Sequence, residues 1–413
     1  MELAVAVIKI ASRCNINCTY CYMYNLGDSS YKNQPKFISK NTIENFSSKF
    51  LNHAIDKSIN QVQIVLHGGE PLLMNKSDFK SLLIAFDKYK QAGVKVRFSL
   101  QTNGILIDDE WSDIFKEYNV SVGVSLDGPK EFNDENRIDK KGNGTYDNVA
   151  QGLNVLKNNN IPFGILSVLN TEINPADFYE NFTFLKTDNL DILLLDQNYD
   201  TFDQQTKFSY FEWLKIIFDI WYSDTSLLNI RFFDSIIQGV FGDMPSLDSY
   251  GTSENKVVVL ETNGDLEPVD VLKSCGENFT KTGLNVNDNI EINDVFNHSL
   301  IEVYYNSGKY LPKKCLACPV QEICGGGYLP HRYDSKNGFN NPSVYCDDLL
   351  KLVTYIQNVV IDGMPEELIK RSGIQKLTYD DALQIIEEIL PTIPEPKYIE
   401  KLENFRKIEY GIV

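Results

Sequence analysis

Six short apolar segments recur along the first half of the chain, and each is followed by a stretch long enough for a helix. They span residues 4–10, 62–66, 94–100, 120–126, 163–169 and 190–195. Continuous apolar strands joined by helical crossovers predict a parallel sheet that is covered by helices. Among the predicted helices are 76–91 and 146–158. In such folds the loops at the carboxyl ends of the strands carry the chemistry.

Three cysteines, Cys14, Cys18 and Cys21, form a C-x3-C-x2-C group directly after the first apolar segment. Three thiolates so close together can bind three irons of a four-iron, four-sulfur cube and leave the fourth iron open to a ligand. A zinc knuckle is the alternative, but a structural zinc ion takes four ligands. No fourth Cys or His lies nearby in the sequence. The spacing therefore favours an iron–sulfur cluster.

Composition excludes several classes of protein. The 413 residues are 43% hydrophobic and carry a formal net charge of −18. Such a charge disfavours nucleic-acid binding, which needs a basic surface. No apolar run is long enough for a membrane helix, and residues 1–10 lack the basic region and cleavage site of a signal peptide. We therefore expect a cytoplasmic enzyme with no nucleic-acid and no membrane partner.

Short glycine-containing motifs follow the second, third and fourth predicted strands. They are His67-Gly68-Gly69-Glu70-Pro71, Gln101-Thr102-Asn103-Gly104 and Ser125-Leu126-Asp127-Gly128-Pro129. With the cysteine triplet, which has an aromatic residue before its last member, they resemble the GGEP, QTNG and SLDGP elements of the radical SAM superfamily. The resemblance implies an α/β fold, a partial (β/α)6 TIM-like barrel, in which S-adenosylmethionine chelates the open iron.

The same resemblance assigns the cofactor contacts. The residues concerned are Tyr20, Gly68, Gly69, Glu70, Asn103, Ser125 and Arg137. Glu70, with the backbone of the two glycines, is assigned to the methionyl ammonium, and Asn103 to the neighbourhood of the ribose. Ser125 and Arg137 are assigned to the cofactor carboxylate, which suits a guanidinium that can donate two parallel hydrogen bonds. An ordinary glycine-rich turn and a solvated arginine are the alternatives.

Four more cysteines lie in the last third of the chain, at Cys315, Cys318, Cys324 and Cys346. Four thiolates can ligate one cube completely, so this site would serve electron transfer or structure. The spacing resembles the second auxiliary cluster of SPASM domains, and structural zinc is the alternative. The neighbouring His331 and Arg332 could tune that cluster or contact a substrate, with a structural histidine as the alternative. We expect a radical SAM domain at 1–235, a SPASM-like iron–sulfur domain at 236–350 and a helical tail at 351–413.

Two positions depart from the SPASM pattern, which usually has cysteines of a first auxiliary cluster there. They hold Val269 and Tyr328 in this chain. The resemblance therefore implies two [4Fe-4S] clusters, one that binds S-adenosylmethionine and one auxiliary cluster. The remaining cysteine, Cys275, could be a buried spare thiol, a ligand of an altered site or a substrate-facing group.

Segments 267–273, 324–333 and 337–346 resemble the branch of radical SAM/SPASM maturases that includes the GrrM, FxsB and XyeB types. Several members of this branch bond an aromatic ring to the β-carbon of a residue two positions later. The resemblance implies an oxidoreductase that crosslinks a ribosomally made precursor peptide into cyclophanes, with an electron donor such as flavodoxin or ferredoxin. Asp270 matches the acid that takes the substrate proton in sulfatase-maturing relatives, and a turn or helix-cap aspartate is the alternative.

Other outcomes are open at this point. The same radical chemistry could give thioether formation, epimerisation or formylglycine formation. A protein of another class, for iron–sulfur electron transfer or assembly, would not need the glycine-containing motifs at the strand ends.

Overall fold

The structure is a computed structural model that describes residues 1–202, 209–225, 228–243 and 249–406. Its contacts divide the chain into two compact units. The sheet unit consists of residues 1–169, 181–195 and 256–302. The helical unit consists of the described residues of 170–180, 196–255 and 303–413. Each unit is built from separate stretches of the chain, so neither corresponds to one continuous segment.

The strands are short, and most of them belong to the sheet unit. They are β1 (Val5–Ala11), β2 (Gln61–Gly68), β3 (Lys95–Thr102), β4 (Val120–Ser125), β5 (Phe163–Val168), β6 (Asn189–Leu193), β7 (Asn229–Ile230), β8 (Val257–Leu260) and β9 (Leu266–Glu267). In the sheet unit the order is β6-β5-β4-β3-β2-β1-β8-β9. The strands β1 to β6 pair in parallel, which confirms the parallel sheet expected from the six apolar segments.

Strand β1 lies inside the sheet, between β2 and β8, and pairs in parallel with both. Its residues Ala6, Ile8 and Ile10 are fully buried. Strand β9 then pairs antiparallel with β8. Because β8 joins β1, residues 256–302 belong to the sheet unit by their contacts, although the sequence interpretation assigned them to the second domain. Contacts alone do not define a domain boundary in the sequence, so the boundary at 235/236 stays a prediction.

Helices alternate with the strands and then dominate the second half of the chain. They are α1 (Lys40–Asp56), α2 (Lys76–Ile84), α3 (Lys88–Gln91), α4 (Asp109–Glu117), α5 (Lys130–Asn136), α6 (Tyr146–Asn158), α7 (Pro175–Phe184), α8 (Tyr210–Ser223), α9 (Arg231–Val240), α10 (Ser299–Tyr305), α11 (Lys313–Leu316), α12 (Gln321–Cys324), α13 (Cys346–Gly363), α14 (Glu366–Ser372), α15 (Tyr379–Ile389) and α16 (Ile399–Glu403). The prediction at 146–158 matches α6, whereas the predicted helix 76–91 is interrupted at 85–87.

The helical unit is organised around α13, which packs against α8, α9, α12 and α15. Its buried residues include Leu349, Leu352, Val353 and Ile356, which form one apolar stripe at helical spacing. The predicted helical tail corresponds to α13 through α16, and residues 407–413 of that prediction lie outside the described residues. In the described part of the chain, no helix combines the length and the apolar character needed to cross a membrane.

Helix α6 supports the loop that follows β3 through a very close contact. An added Cβ at Gly152 would lie 2.1 Å from the carbonyl oxygen of Gly104. We expect Gly152→Ala to lower the free energy of unfolding by about 1–3 kcal/mol, because overpacking outweighs the better helix propensity of alanine. Urea unfolding of the anaerobic protein measures this change.

The matched control is Asn154→Ala, which places alanine on the exposed side of the same helix. It should leave the stability unchanged or slightly higher, because only helix propensity changes there. Equal stability of the two variants would contradict the packing argument.

Candidate functional site

The cysteine triplet lies in the loop that leaves the carboxyl end of β1. The loop is held by local hydrogen bonds, in which the carbonyl of Cys18 accepts from the amide of Cys21 at 3.2 Å and from Asn25 Nδ2 at 2.7 Å. Burial raises the pKa of Cys14 to about 12 and that of Cys21 to about 11, and the neighbouring thiols add to both shifts. Iron would bind the three thiols as thiolates. This donor set fits a cube.

The carboxylate of Glu70 joins the loops after β2 and β3. It is buried and accepts hydrogen bonds from the amide of Leu72 at 2.9 Å, from the hydroxyl of Thr102 at 2.7 Å and from the amide of Asn103 at 2.8 Å. Burial raises its pKa, against the effect of these three donors. In this arrangement Glu70 fixes the two loops. Its assignment to the methionyl ammonium stays a prediction.

The two glycines before Glu70 bring backbone against the cysteine loop. A Cβ at Gly69 would lie 2.4 Å from the carbonyl carbon of Arg13, the residue before Cys14. A Cβ at Gly68, where φ is +150°, would lie 2.2 Å from the carbonyl oxygen of Ala11. Both positions therefore require glycine, because a side chain would displace the loop that carries the cysteines.

Asn103 and Ser125 lie at the carboxyl ends of β3 and β4. The amide Nδ2 of Asn103 donates to Asn15 Oδ1 at 2.8 Å and lies 3.7 Å from Cys14 Sγ. The hydroxyl of Ser125 accepts a hydrogen bond from Gln101 Nε2 at 2.8 Å. Asn103 thus contacts the cysteine loop directly, whereas Ser125 is held by the neighbouring strand.

Tyr20, Asp127 and Arg137 form a buried group beside Cys18. The hydroxyl of Tyr20 donates to Asp127 and accepts from Arg137 Nη1 at 2.9 Å, and the guanidinium lies 3.9 Å from the Asp127 carboxylate. The Nε of Arg137 is buried and has no hydrogen-bond partner among the described residues. A guanidinium donor without a partner fits an anionic ligand such as the carboxylate of S-adenosylmethionine.

A second buried group lies around Asp270, just after β9. Its Oδ2 accepts from the ammonium of Lys9 and from the hydroxyl of Tyr22 at 2.8 Å, and Lys9 Nζ lies 2.8 Å from His67 Nδ1. The register pairs Lys9 on β1 with His67 on β2, which explains their contact. Although burial raises its pKa, the nearby Lys9 and His67 hold the pKa of Asp270 well below the usual range. Asp270 is therefore ionised at neutral pH.

Further charged side chains are buried next to this group. Lys273 forms ion pairs with Glu261 and with Glu267, the latter at 3.4 Å, and all three residues are buried. Burial lowers the pKa of Lys273, but the two glutamates outweigh it and the pKa is raised. Cys275 ends the same 3-10 helix, Asp270–Cys275, and is also buried.

The second cysteine group lies in the helical unit. One cavity is lined by Cys315, Cys318, Cys324 and Cys346, together with apolar residues that include Leu350 and Ile386. Burial raises the pKa of Cys315 to about 12, and Cys346 and Cys318 add to that shift. Four thiols that face one cavity form the donor set of a fully ligated cluster.

The two cysteine groups differ from a site for a single ion in the spacing of their donors. Within the described residues, no three His, Cys, Asp or Glu side chains converge on one point that could hold a metal ion. A cube does not need such convergence, because each thiolate binds a different iron. The donor sets therefore fit iron–sulfur cubes in their chemistry.

Several residues of these groups were not singled out in the sequence. Lys9 interrupts the apolar segment of β1, and a charged residue in a buried strand was the signal that could have identified it. Tyr22 directly follows the cysteine triplet and Asp127 lies inside a quoted motif, but only the structure shows that they contact Asp270 and Tyr20.

The Lys9–Asp270 pair gives a stability prediction. Lys9→Met should lower the free energy of unfolding by about 3–5 kcal/mol, because it leaves a buried carboxylate without its partner. Combining it with Asp270→Asn should recover most of that loss, as measured by urea unfolding.

The matched control is Lys256→Met, which breaks an ion pair with Glu2 at 2.7 Å whose side chains are about half exposed. That change should stay within about 1 kcal/mol. Losses of the same size at Lys9 and Lys256 would show that the burial of the pair is unimportant.

The model of the Radical SAM superfamily matches residues 8–185, the stretch that includes the cysteine triplet and the strands β2 to β5.

Curated relatives match over almost the full chain. The chain is 28% identical to the serine-type anaerobic sulfatase-maturating enzyme of Bacteroides thetaiotaomicron, over 93% of this chain and 97% of the relative. It is 27% identical to the cysteine-type anaerobic sulfatase-maturating enzyme of Clostridium perfringens strain 13, over 86% of this chain and 96% of the relative.

Solved structures show the same similarity. Native anSMEcpe with bound AdoMet and Cp18Cys peptide is 25% identical, with a TM-score of 0.72 over 87% of this chain and 99% of that one. Streptococcus suis SuiB, at 20% identity, has a TM-score of 0.52 over 80% of this chain and 73% of that one, which is a likeness of fold. Residues 8–185 of this chain are thus similar to the radical SAM superfamily, and almost the whole chain is similar to the anaerobic sulfatase-maturating enzymes named above.

Proposed function

We propose that this protein oxidises the β-carbon of a residue in a ribosomally made precursor peptide and bonds that carbon to an aromatic ring. The observation that carries the proposal is the contact between Tyr22 and Asp270. Tyr22 follows Cys21 directly and donates to Asp270 Oδ2 at 2.8 Å. This hydrogen bond holds the ionised carboxylate of Asp270 against the loop whose cysteines would hold the cluster.

The cofactors are assigned to residues already described. Cys14, Cys18 and Cys21 would hold one cube, and the residues at the strand ends, with Arg137, would bind S-adenosylmethionine. When bound, the cube and S-adenosylmethionine would supply a 5′-deoxyadenosyl radical able to remove a hydrogen atom from a carbon. The chain's own contribution is to position the peptide and to accept a proton.

Asp270 is suited to accept the proton that leaves the aromatic ring. Lys9 and Tyr22 both donate to its Oδ2, and Oδ1 has no hydrogen bond within the part of the chain that the structure describes. Its low pKa makes it a weak base, but a ring that is being oxidised releases its proton readily, so a weak base suffices. The β-hydrogen would pass to the radical that the bound cofactors supply, the ring proton would pass to Asp270, and one electron would have to leave.

A second cluster would provide the exit for that electron. Cys315, Cys318, Cys324 and Cys346 face one cavity and would ligate a cube completely. Val269 and Tyr328 occupy the positions where a first auxiliary cluster would take cysteines. We therefore propose two clusters in total and an external donor such as flavodoxin or ferredoxin.

Formylglycine formation is the second candidate, and the named relatives favour it. The curated relatives that match almost the full chain are anaerobic sulfatase-maturating enzymes. Both candidates begin with loss of a β-hydrogen and end in a two-electron oxidation. They differ in product, because formylglycine carries an aldehyde and a crosslinked peptide does not.

The first test concerns the cofactor. Anaerobically reconstituted protein should hold about eight irons, and changing Cys14, Cys18 and Cys21 to alanine should leave about four and abolish 5′-deoxyadenosine formation. Cys275→Ala is the control and should retain both iron and activity. Deoxyadenosine at the wild-type rate from the triple variant would refute the radical SAM assignment at this site, and about twelve irons would refute the two-cluster count.

The second test concerns product and base. A precursor peptide from an adjacent small reading frame should become lighter by two hydrogens, and deuterium on its β-carbon should appear in 5′-deoxyadenosine. The product should not react with a hydrazide, whereas a reactive aldehyde would establish formylglycine formation. Unchanged peptide mass would indicate epimerisation.

The role of Asp270 as the base is tested in a Lys9→Met background, in which the removal of the Asp270 carboxylate leaves no unpaired lysine. The Lys9→Met/Asp270→Asn double variant should still form 5′-deoxyadenosine but lose crosslinking by at least about a hundredfold, which is the usual size of a general-base effect. Lys9→Met alone, which keeps the carboxylate, is the control. Crosslinking by the double variant at the rate of Lys9→Met would exclude Asp270 as the base.

A further inference from the structure

Arg332 is a fully buried cation in the helical unit. Among the described residues, its guanidinium donates to four backbone carbonyls and to no side chain. The acceptors are Ser307 at 2.9 Å, Tyr310 at 2.6 Å, Phe339 at 3.2 Å and Asn341 at 3.3 Å. Within the described ranges, no carboxylate forms an ion pair with it. A buried charge normally requires an opposite charge nearby. The described residues do not supply one for Arg332.

The second cysteine group lies close to this guanidinium. A Cβ at Gly326 would lie 3.7 Å from Arg332 Nη1 and 3.9 Å from Cys315 Sγ, so the guanidinium and this thiol face one backbone position. Although burial lowers the pKa of Arg332, Cys315 and Cys324 act in the opposite direction. These two cysteines are ligands of the proposed second cluster.

A ligated cube would supply the missing charge. The oxidised core of four irons and four sulfides carries two positive charges and the four thiolates carry four negative ones, so the whole is an anion. Reduction by one electron makes it more negative. A buried cation nearby stabilises the reduced state more than the oxidised state, because water does not screen the interaction.

We propose that Arg332 is the buried counter-charge of the second iron–sulfur cluster and raises its reduction potential. The inference rests on the proposed function, since it requires a cluster at Cys315, Cys318, Cys324 and Cys346. It deepens that function by naming the residue that makes the cluster a better electron acceptor. Arg332 is a positioning and tuning residue, since it acts through the cluster and not on a substrate.

A second cation near the same cavity provides an internal comparison. Lys314 lines the cavity, but its side chain is exposed. Solvent and salt screen an exposed charge, whereas they act little on a buried one. Two cations beside one cluster should therefore differ in the size and in the salt dependence of their effects.

The experiment is a redox titration followed by electron paramagnetic resonance. It uses full-length protein in which Cys14, Cys18 and Cys21 are alanine, so that only the second cluster is observed. Arg332→Gln should reduce the ratio of reduced to oxidised cluster at a fixed potential by at least about tenfold, a shift of about 59 mV to lower potential. Arg332→Lys should keep most of the wild-type potential, because it keeps the charge.

The control is Lys314→Gln, whose shift should be small and should disappear in high salt. The shift caused by Arg332→Gln should persist in high salt. An unchanged potential in an Arg332→Gln protein that holds the cluster would overturn the proposal and leave Arg332 as a scaffold for four carbonyls.

Two further outcomes are separated by metal analysis. If Arg332→Gln loses the cluster, the Arg332→Lys variant provides the test. Retention of the iron and of the reduction potential in Arg332→Lys supports the counter-charge role. Loss of the iron from Arg332→Lys as well overturns that role. If the wild-type site holds zinc, the auxiliary cluster in the proposed function fails, which is a result distinct from an unchanged potential.

Discussion

The ion pair between Lys9 and Asp270 is the interaction on which the site depends. Lys9 comes from β1, the strand that leads into the cysteine loop, and Asp270 from the turn after β9. Neither charge is stable in the core without the other, so the pair requires β8 and β9 to be in place beside β1. The position of residues 256–302 within the sheet unit follows from this requirement as well as from strand pairing.

Along the carboxyl edge of the sheet, buried polar side chains are likewise paired with one another. Glu70 takes donors from two loops, and the group of Tyr20, Asp127 and Arg137 joins the cysteine loop to the end of β4. Because most polar groups of these loops are hydrogen-bonded within the protein, few of them are left to bind a ligand. The buried Arg137 Nε has no hydrogen-bond partner among the described residues. It is therefore the atom of this edge that most clearly indicates where an anionic ligand would bind.

The sequence was sufficient for the sheet because apolar strands alternating with helices have few other solutions. It also identified both cysteine groups, since ligand spacing is a local property of the chain. It could not predict the partner of Lys9, because the ion pair joins residues 261 positions apart. Asp270 was nominated by resemblance, but its depressed pKa depends on that distant lysine. The interruption at 85–87 escaped prediction because residues 76–91 have helical composition throughout.

Helix α13 begins at Cys346, one of the four cysteines of the second cavity, and packs against α8, α9, α12 and α15. With the proposed cluster bound, the first turn of this helix would also be part of a metal site. A chain synthesised under iron starvation would keep Arg332 buried without an anion and would lack the covalent anchor at the start of its central helix. Proteases act on such partly opened regions. The cellular amount of this protein should consequently follow iron supply, even at constant transcription.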